Sequence, residues 1–306
     1  MQNLSLSLDT RATRRLRFTA AHLGLALAAA AALTTGCRED GPPVTNTAMD
    51  LAMPEDMARA AARDFTIREL NSPTSNLKAG DRVHLSGVVI SPQTWITSDD
   101  KAGFCYYRVF IMQADGSPTT IRDGVAVTLG LKATFGDMSR ISECSRLAKM
   151  DAIGTTMLAV KPGEELEIEG KYSLRGSGAT ATRQIDVYKG TLNDKGPAAM
   201  MPVPLDADPM TYQPAQTGLP QAFADAQGVL VTFANVKVNT RDMMYQDFNA
   251  STTDMGGARI ATNFLRVANA SYMSPMNGTA LKSVTGIVTG DFKGTIWPRT
   301  EADIAP

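Results

Sequence analysis

The stretch LKSVTGIVTGDFKGTIWPRTEADI, residues 281–304, carries the clearest strand pattern in the chain. Residues 281–288 predict one β-strand, and residues 290–297 predict the segment that returns against it. Pro298 has no backbone N–H, so the hydrogen-bond ladder cannot continue beyond Trp297. We therefore interpret this stretch as the end of a β-module and not as a catalytic or binding constellation.

Further strand patterns lie on both sides of a proline-rich stretch, residues 195–226, which predicts an extended linker. Alternation of apolar and polar residues predicts short strands in two flanking modules, 64–194 and 227–306. These strands cover residues 80–90, 104–112, 164–170 and 184–188 in the first module, and 229–238, 258–267 and 281–288 in the second. Helix patterns are few, and the strongest covers residues 138–150.

The first 36 residues resemble an export signal, with arginines followed by the apolar run 23–33, which is too short to span a bilayer. Thr34-Thr35-Gly36-Cys37 then resembles the lipobox of bacterial lipoproteins, although that motif normally has Leu where this chain has Thr34. The resemblance implies cleavage between Gly36 and Cys37 and a lipid on the Cys37 thiol. An ordinary cleaved signal is the alternative.

Residues 37–63 are poor in large apolar side chains, so they predict a flexible tether between the lipid and the first module. We therefore expect the protein in the cell envelope, held to a membrane through the lipid on Cys37. The outer membrane, with the protein facing the periplasm or the surface, is the expected location.

The chain has three cysteines. If Cys37 carries lipid, Cys105 and Cys144 remain, and an oxidising exported compartment allows them to form a disulfide. Two buried free thiols are the alternative, whereas the spacing and the scarcity of histidine exclude a metal site built on these cysteines.

Composition argues against enzyme chemistry. The chain has only two histidines, and it lacks a nucleophile-elbow motif, a phosphate-binding glycine loop and a paired-histidine motif. We therefore predict no catalytic residue, no metal and no cofactor. Removal of residues 1–36 takes away four Arg and one Asp and leaves 26 basic and 30 acidic side chains, a formal charge of −4, which disfavours nucleic acid as a partner.

The stretch 281–304 resembles the closing strands of small OB-fold modules in exported bacterial proteins. Arg299, which can pair with Glu301 or Asp303, and the final Asp303-Ile304 match that pattern. Residues 227–304 and 77–194 resemble it more weakly, and the first module lacks the Pro-Arg step at 188–192. The resemblance implies an all-β protein of two small five-stranded OB-fold-like barrels, joined by a Pro-rich linker and carrying few short helices.

OB-folds present an open sheet face to oligonucleotides or oligosaccharides. In residues 104–112 the candidate ligand face is formed by Tyr106, Arg108 and Phe110, because the alternate residues face the core. Our main interpretation is a non-enzymatic lipid-anchored protein with a binding or scaffold role, whose partner is an envelope protein or glycan. The alternatives are an oligosaccharide- or oligonucleotide-binding surface protein and an accessory subunit of an exported enzyme.

Overall fold

The structure is a computed structural model, and it describes residues 61–99, 102–133, 140–176, 180–215 and 217–306. The expected signal, the lipobox with Cys37 and nearly all of the tether lie outside these residues. No helix in the described part is long and apolar enough to cross a membrane.

Short strands dominate the described residues, with five short α-helices between them. The first module contains β1 (Arg63–Asp64), α1 (Ile67–Leu70), β2 (Arg82–Val89), β3 (Trp95–Asp99), β4 (Phe104–Met112), β5 (Gly124–Lys132), α2 (Arg140–Met150), α3 (Ala152–Ala159), β6 (Glu164–Arg175) and β7 (Thr182–Pro197). The rest of the chain contains β8 (Leu205–Asp206), α4 (Gln221–Asp225), β9 (Leu230–Arg241), β10 (Phe248–Ser251), β11 (Ala258–Ile260), α5 (Asn263–Ala268), β12 (Ala280–Thr289), β13 (Thr295–Trp297) and β14 (Ile304–Ala305).

The first module is a closed ring of five strands in the order β2, β4, β5, β7, β6 and back to β2. Only the β5–β7 contact is parallel, and the other four pairs are antiparallel. Inward-facing side chains fill the barrel, as the alternation in β4 predicts: Tyr107, Val109 and Ile111 are fully buried. Strand β3 extends the sheet by pairing with the first half of β4.

The second module repeats this order, with a ring of β9, β10, β11, β13, β12 and back to β9, and a parallel contact between β11 and β13. Both rings match the five-stranded Greek-key barrel of the OB-fold, which confirms the fold predicted from the sequence. The predicted closing strands are also confirmed, since Ile287 pairs with Trp297 and Val288 with Ile296.

The predicted strand 258–267 is only partly confirmed, because β11 ends at Ile260 and α5 follows. Phe264 and Leu265 are neighbours in sequence and both are almost fully buried. Successive side chains of a strand point to opposite faces, so a strand could not bury both against one core. A helical turn places them both on the barrel.

The proline-rich segment 195–226 differs from the extended linker that the sequence predicts. Its first residues belong to β7, and Leu205 in β8 pairs in parallel with Val231 of β9. Tyr212 and Phe223 are buried in the core of the second module, with ring centroids 5.4 Å apart. The prolines favour extended backbone in this segment. The apolar side chains between the prolines nevertheless pack into the core of the second module, so the segment belongs to that module.

The two barrels pack directly against each other. The sulfur of Met112 in β4 accepts a hydrogen bond from the backbone N–H of Leu230 in β9, at 3.1 Å. The backbones also approach closely, since a Cβ added to Gly124 would lie 2.2 Å from the carbonyl carbon of Gly228. Only glycine at both positions allows this contact.

The disulfide between Cys105 and Cys144 is present, which confirms the sequence prediction and removes the free-thiol alternative. It ties β4 to α2, and both cysteines are fully buried. The hydroxyl of Tyr107 donates to the carbonyl of Cys144 at 2.5 Å, so the same helix is held twice. By the loop-entropy relation, closing 39 residues of chain contributes about 4 kcal/mol to stability.

Candidate ligand-binding cleft

The three residues of the predicted ligand face have different surroundings. Tyr106 is exposed, but Arg108 is largely buried in an ion pair and Phe110 is fully buried. The Phe110 ring packs edge-on against Trp297 of the second module, with centroids 6.3 Å apart. Phe110 is therefore not part of an open ligand face: the second barrel covers the far half of the outer face of β4.

The uncovered half of that outer face carries a cleft of about 390 Å³. Strand pairing brings its residues together in two rows across the sheet. Thr97, Tyr106 and Gly130 form one row, and Trp95, Arg108, Thr128 and Asp186 form the other. Asp99, Arg175 and Gln184 complete the polar lining. The cleft lies on the second and third ring strands, where OB-folds bind oligonucleotides and oligosaccharides.

The Tyr106 ring is the most exposed apolar feature of this cleft. The Tyr106 side chain is 42% exposed, and its ring stacks on Phe104 with centroids 6.0 Å apart and an interplanar angle of 22°. The ring also lies over Gly130, where an added Cβ would be 3.5 Å from Cε1 of Tyr106. Because Gly130 has no side chain, the tyrosine can lie along the sheet and form part of the cleft.

Polar groups surround the aromatic pair. Each of three side chains is held by a backbone group: Thr128 Oγ1 donates to the carbonyl of Ile185, while Asp186 Oδ1 and Asp99 Oδ1 accept from the N–H groups of Tyr188 and Ala102. The remaining lone pairs of these oxygens can accept hydrogen bonds from a ligand. The lining thus combines acceptors in fixed positions with the side-chain amide of Gln184, which can both donate and accept hydrogen bonds.

At the module junction, one carboxylate joins the cleft to the second barrel. Asp291 forms ion pairs with Arg108 and with Arg175, the latter at 3.2 Å between Nη1 and Oδ1. Burial raises the pKa of the Asp291 carboxyl, and the positive charge of Arg175 opposes this rise. Nε of Arg108 is buried without a hydrogen-bond partner among the described residues. The single charge of Asp291 therefore balances one of the two guanidiniums that line the cleft.

Sequence reasoning identified Tyr106 and Arg108 but missed Trp95, Arg175, Gln184 and Asp186. These four come from β3, β6 and β7, and only the register of strand pairing brings them to β4. No local motif marks them. In the described part of the chain, no group of three or more His, Cys, Asp or Glu side chains is arranged to hold a metal ion.

No protein-family model and no curated protein matches the sequence. Solved structures with a loose likeness include the single-stranded DNA-binding protein from Thermus aquaticus, at 11% identity and a TM-score of 0.23 over 72% of this chain and 91% of that one. A deletion mutant of the same protein is 9% identical to this chain, with a TM-score of 0.25 over 72% of this chain and 93% of the mutant's chain. A replication protein A heterotrimer bound to ssDNA gives 10% identity, a TM-score of 0.24, and 77% and 53% coverage.

All three similar structures are single-stranded DNA-binding proteins, and this finding corrects the expectation that nucleic acid is disfavoured as a partner. That expectation rested on the net charge of the whole mature chain, which does not describe the surroundings of one cleft. At such low similarity, no residue of this chain is equated with a residue of those proteins. From its own strand order and cleft, the chain is an all-β protein of two OB-fold barrels.

Proposed function

We propose that this chain is a non-enzymatic binding protein whose first OB barrel holds a short single-stranded oligonucleotide in the cleft over β4 and β5. The observation that carries the proposal is the exposed Tyr106 ring in that cleft, with the Phe104 ring beside it. Every base has a π-face, and stacking on an aromatic side chain contributes about 1–3 kcal/mol per base.

The polar lining supports base contacts more than backbone contacts. Gln184 and Asp186 can pair with base edges, whereas Arg108 and Arg175 already face Asp291. Few cations are left for phosphates, so few counterions would be released on binding. We therefore expect an affinity that depends only weakly on salt concentration, unlike that of a protein that tracks the phosphate backbone.

An oligosaccharide is the second candidate ligand. The observation that favours it is the presence of two carboxylates, Asp99 and Asp186, beside an aromatic ring. Carboxylate oxygens accept hydrogen bonds from sugar hydroxyls, and they would repel a phosphate. The two candidates use the same ring, so the ligand itself must be tested.

The test compares Tyr106→Ala with Tyr188→Ala. Tyr188 is also exposed, at 51%, but it does not line the cleft. Fluorescence anisotropy with labelled oligothymidine and calorimetry with oligosaccharides measure the two affinities. Loss of one stacked base predicts a decrease of about tenfold or more for Tyr106→Ala and no change for Tyr188→Ala.

Two results would refute the oligonucleotide proposal. One is equal affinity of both variants for oligothymidine. The other is binding of oligosaccharide alone, which would leave the cleft in place and establish the second candidate.

We further propose that the protein is exported and held at the cell envelope, on the outer membrane, by lipid on Cys37. The lipobox-like residues 34–37 support this proposal, and so does the Cys105–Cys144 disulfide, which is typical of oxidising compartments. Cys37→Ala is expected to move the protein from the membrane fraction to the soluble fraction. Cys105→Ala, which removes a cysteine but not the lipobox, is the control and should remain in the membrane fraction.

Retention of Cys37→Ala by membranes after a high-salt wash, which screens attachment through surface charge, would contradict anchoring through this residue. Density separation of inner and outer membranes of the wild type tests the second part of the proposal. Recovery with the inner membrane would refute the outer-membrane location and leave the lipid in place.

A further inference from the structure

One end of the second barrel exposes four large apolar side chains on two adjacent loops. Met243, Met244 and Tyr245 lie between β9 and β10, and Met273 lies before β12. Their exposures are 66%, 76%, 51% and 62%. We call these four residues the methionine rim. Large apolar side chains clustered on a surface mark sites of interaction with a protein, a ligand or a membrane.

The two loops of the methionine rim are held in a defined conformation, because hydrogen bonds join them. Gln246 Nε2 donates to the carbonyl of Met243 at 2.7 Å, and Gln246 Oε1 accepts from the N–H of Ser274 at 3.2 Å. Asp242 Oδ1 accepts from the N–H groups of Met244 and Tyr245 at 2.9 and 3.1 Å. The backbone under the rim is therefore fixed while its side chains point outward.

Two arginines beside the rim bond to neutral oxygens. Nη2 of Arg241 donates to Oε1 of Gln246 at 2.6 Å and lies 4.0 Å from the sulfur of Met273. Nη1 of Arg266 donates to the carbonyl of Tyr245 at 3.2 Å. Neither guanidinium forms an ion pair with a carboxylate of the described residues, and Nε of Arg241 is buried without a partner there.

The acids near the rim form no ion pair with these arginines among the described residues. Asp247 is paired with Arg259 at 2.8 Å and accepts the backbone N–H of Thr262, so its charge is already balanced. Asp242 is the one other acid in the loop, and its Oδ1 is occupied by backbone N–H groups. Glu301, the acid beside the second loop, accepts a hydrogen bond from Nδ2 of Asn269 at 3.0 Å. Two guanidiniums without a carboxylate partner among the described residues therefore lie beside the apolar surface.

We propose that the methionine rim docks on an anionic phospholipid surface. Met243, Met244 and Met273 would enter the boundary between headgroups and acyl chains, and Tyr245 would lie at headgroup depth. Arg241 and Arg266 would face the lipid phosphates, to which cations near a membrane surface are attracted. A free phosphate would use the arginines but not the exposed thioethers, so the combination favours a lipid surface.

This inference does not rest on the oligonucleotide cleft, which lies on the first barrel. It assigns the second barrel a separate role as a membrane-facing module. The two proposals can therefore fail independently.

The experiment reads the environment of the rim itself. The full chain with Cys37→Ser carries Met244→Cys labelled with an environment-sensitive fluorophore, and the control carries the label at Met150→Cys, a 72% exposed position in the first module. Each is mixed with vesicles of phosphatidylcholine, with or without phosphatidylglycerol. We expect a blue shift only for the label at residue 244, and only when phosphatidylglycerol is present.

A second variant tests the charges. Arg241→Gln with Arg266→Gln keeps hydrogen-bonding side chains, and its vesicle affinity should fall about tenfold or more. Circular dichroism confirms that it is folded. The proposal is overturned if the label at residue 244 does not respond to mixed vesicles, if the label at residue 150 responds equally, or if folded Arg241→Gln/Arg266→Gln binds as tightly as its parent.

Discussion

Trp297 is the residue on which the junction of the two barrels depends most. Its side chain is fully buried, and its ring meets Trp95 at 5.0 Å, Phe110 at 6.3 Å and Phe264 at 5.3 Å between centroids. The indole Nε1 donates to Oγ1 of Thr295 at 2.9 Å, so its one polar atom is satisfied. One side chain thus belongs to both the barrel core and the interface.

Trp297→Ala should destabilise the protein by about 4 kcal/mol, because it removes a large buried aromatic and leaves a cavity between several rigid rings. Urea unfolding followed by far-UV circular dichroism measures this loss as a lower midpoint. A change of less than about 1 kcal/mol would show that the junction repacks around the missing indole.

Arg299→Ala is the companion change two residues later. In the wild-type protein the Arg299 guanidinium donates to both carboxylate oxygens of Asp303, at 3.0 and 2.8 Å. The sequence allowed either Glu301 or Asp303 as the partner of Arg299, and the structure identifies Asp303. Asp303 keeps its bond from the backbone N–H of Arg299 after the substitution. The expected cost in the same urea experiment is about 1 kcal/mol or less.

Among the elements, the crossing of β5 with the turn before β9 fixes how closely the barrels approach. Gly228 has φ +81° and a Cβ added there would lie 2.7 Å from the backbone nitrogen of Val125. Gly278 has nearly the same conformation, φ +85°, with no atom within 4 Å of the added Cβ. The two glycines therefore separate the cost of backbone conformation from the cost of close contact.

Gly278→Ala should cost about 1–2 kcal/mol, the strain of a left-handed alanine. Gly228→Ala carries the same backbone strain, and its new methyl group would also collide with the backbone of β5. This collision should lower the free energy of unfolding by about 1–3 kcal/mol more, the cost of overpacking. Thermal or urea unfolding of the pair measures the difference. Equal losses of stability would mean that the barrels can separate at this point without cost.

The elements also show what the sequence can predict. Alternation in β4 identified its core face, and cysteine counting identified the Cys105–Cys144 bond, because both depend on local pattern or on a small set of choices. Phe110 is buried by its contact with Trp297, and Arg175 forms an ion pair with Asp291. In both cases the two residues lie more than a hundred positions apart in the sequence. No periodicity within one strand carries that information.

For the whole molecule, the covered outer face of β4 makes the two barrels parts of one packed body. Phe110 and Met112 from the first barrel share a continuous buried cluster with Val229, Leu230 and Trp297 from the second. The same contact leaves the cleft at the edge of the junction, with Arg175 bound to Asp291. Stability of the junction and the shape of the cleft are therefore linked.

This linkage predicts a single unfolding transition. The chain has two tryptophans, and both lie at the junction, so their fluorescence reports on the interface while far-UV circular dichroism reports on both sheets. Separating the barrels would expose the shared apolar cluster without unfolding either one, which is unfavourable because of the apolar area brought into water. In urea the two signals should therefore change together, with coincident midpoints. A fluorescence transition at lower urea would show that the barrels part first, and Gly228→Ala, which strains the contact itself, is the variant in which such a separation should appear.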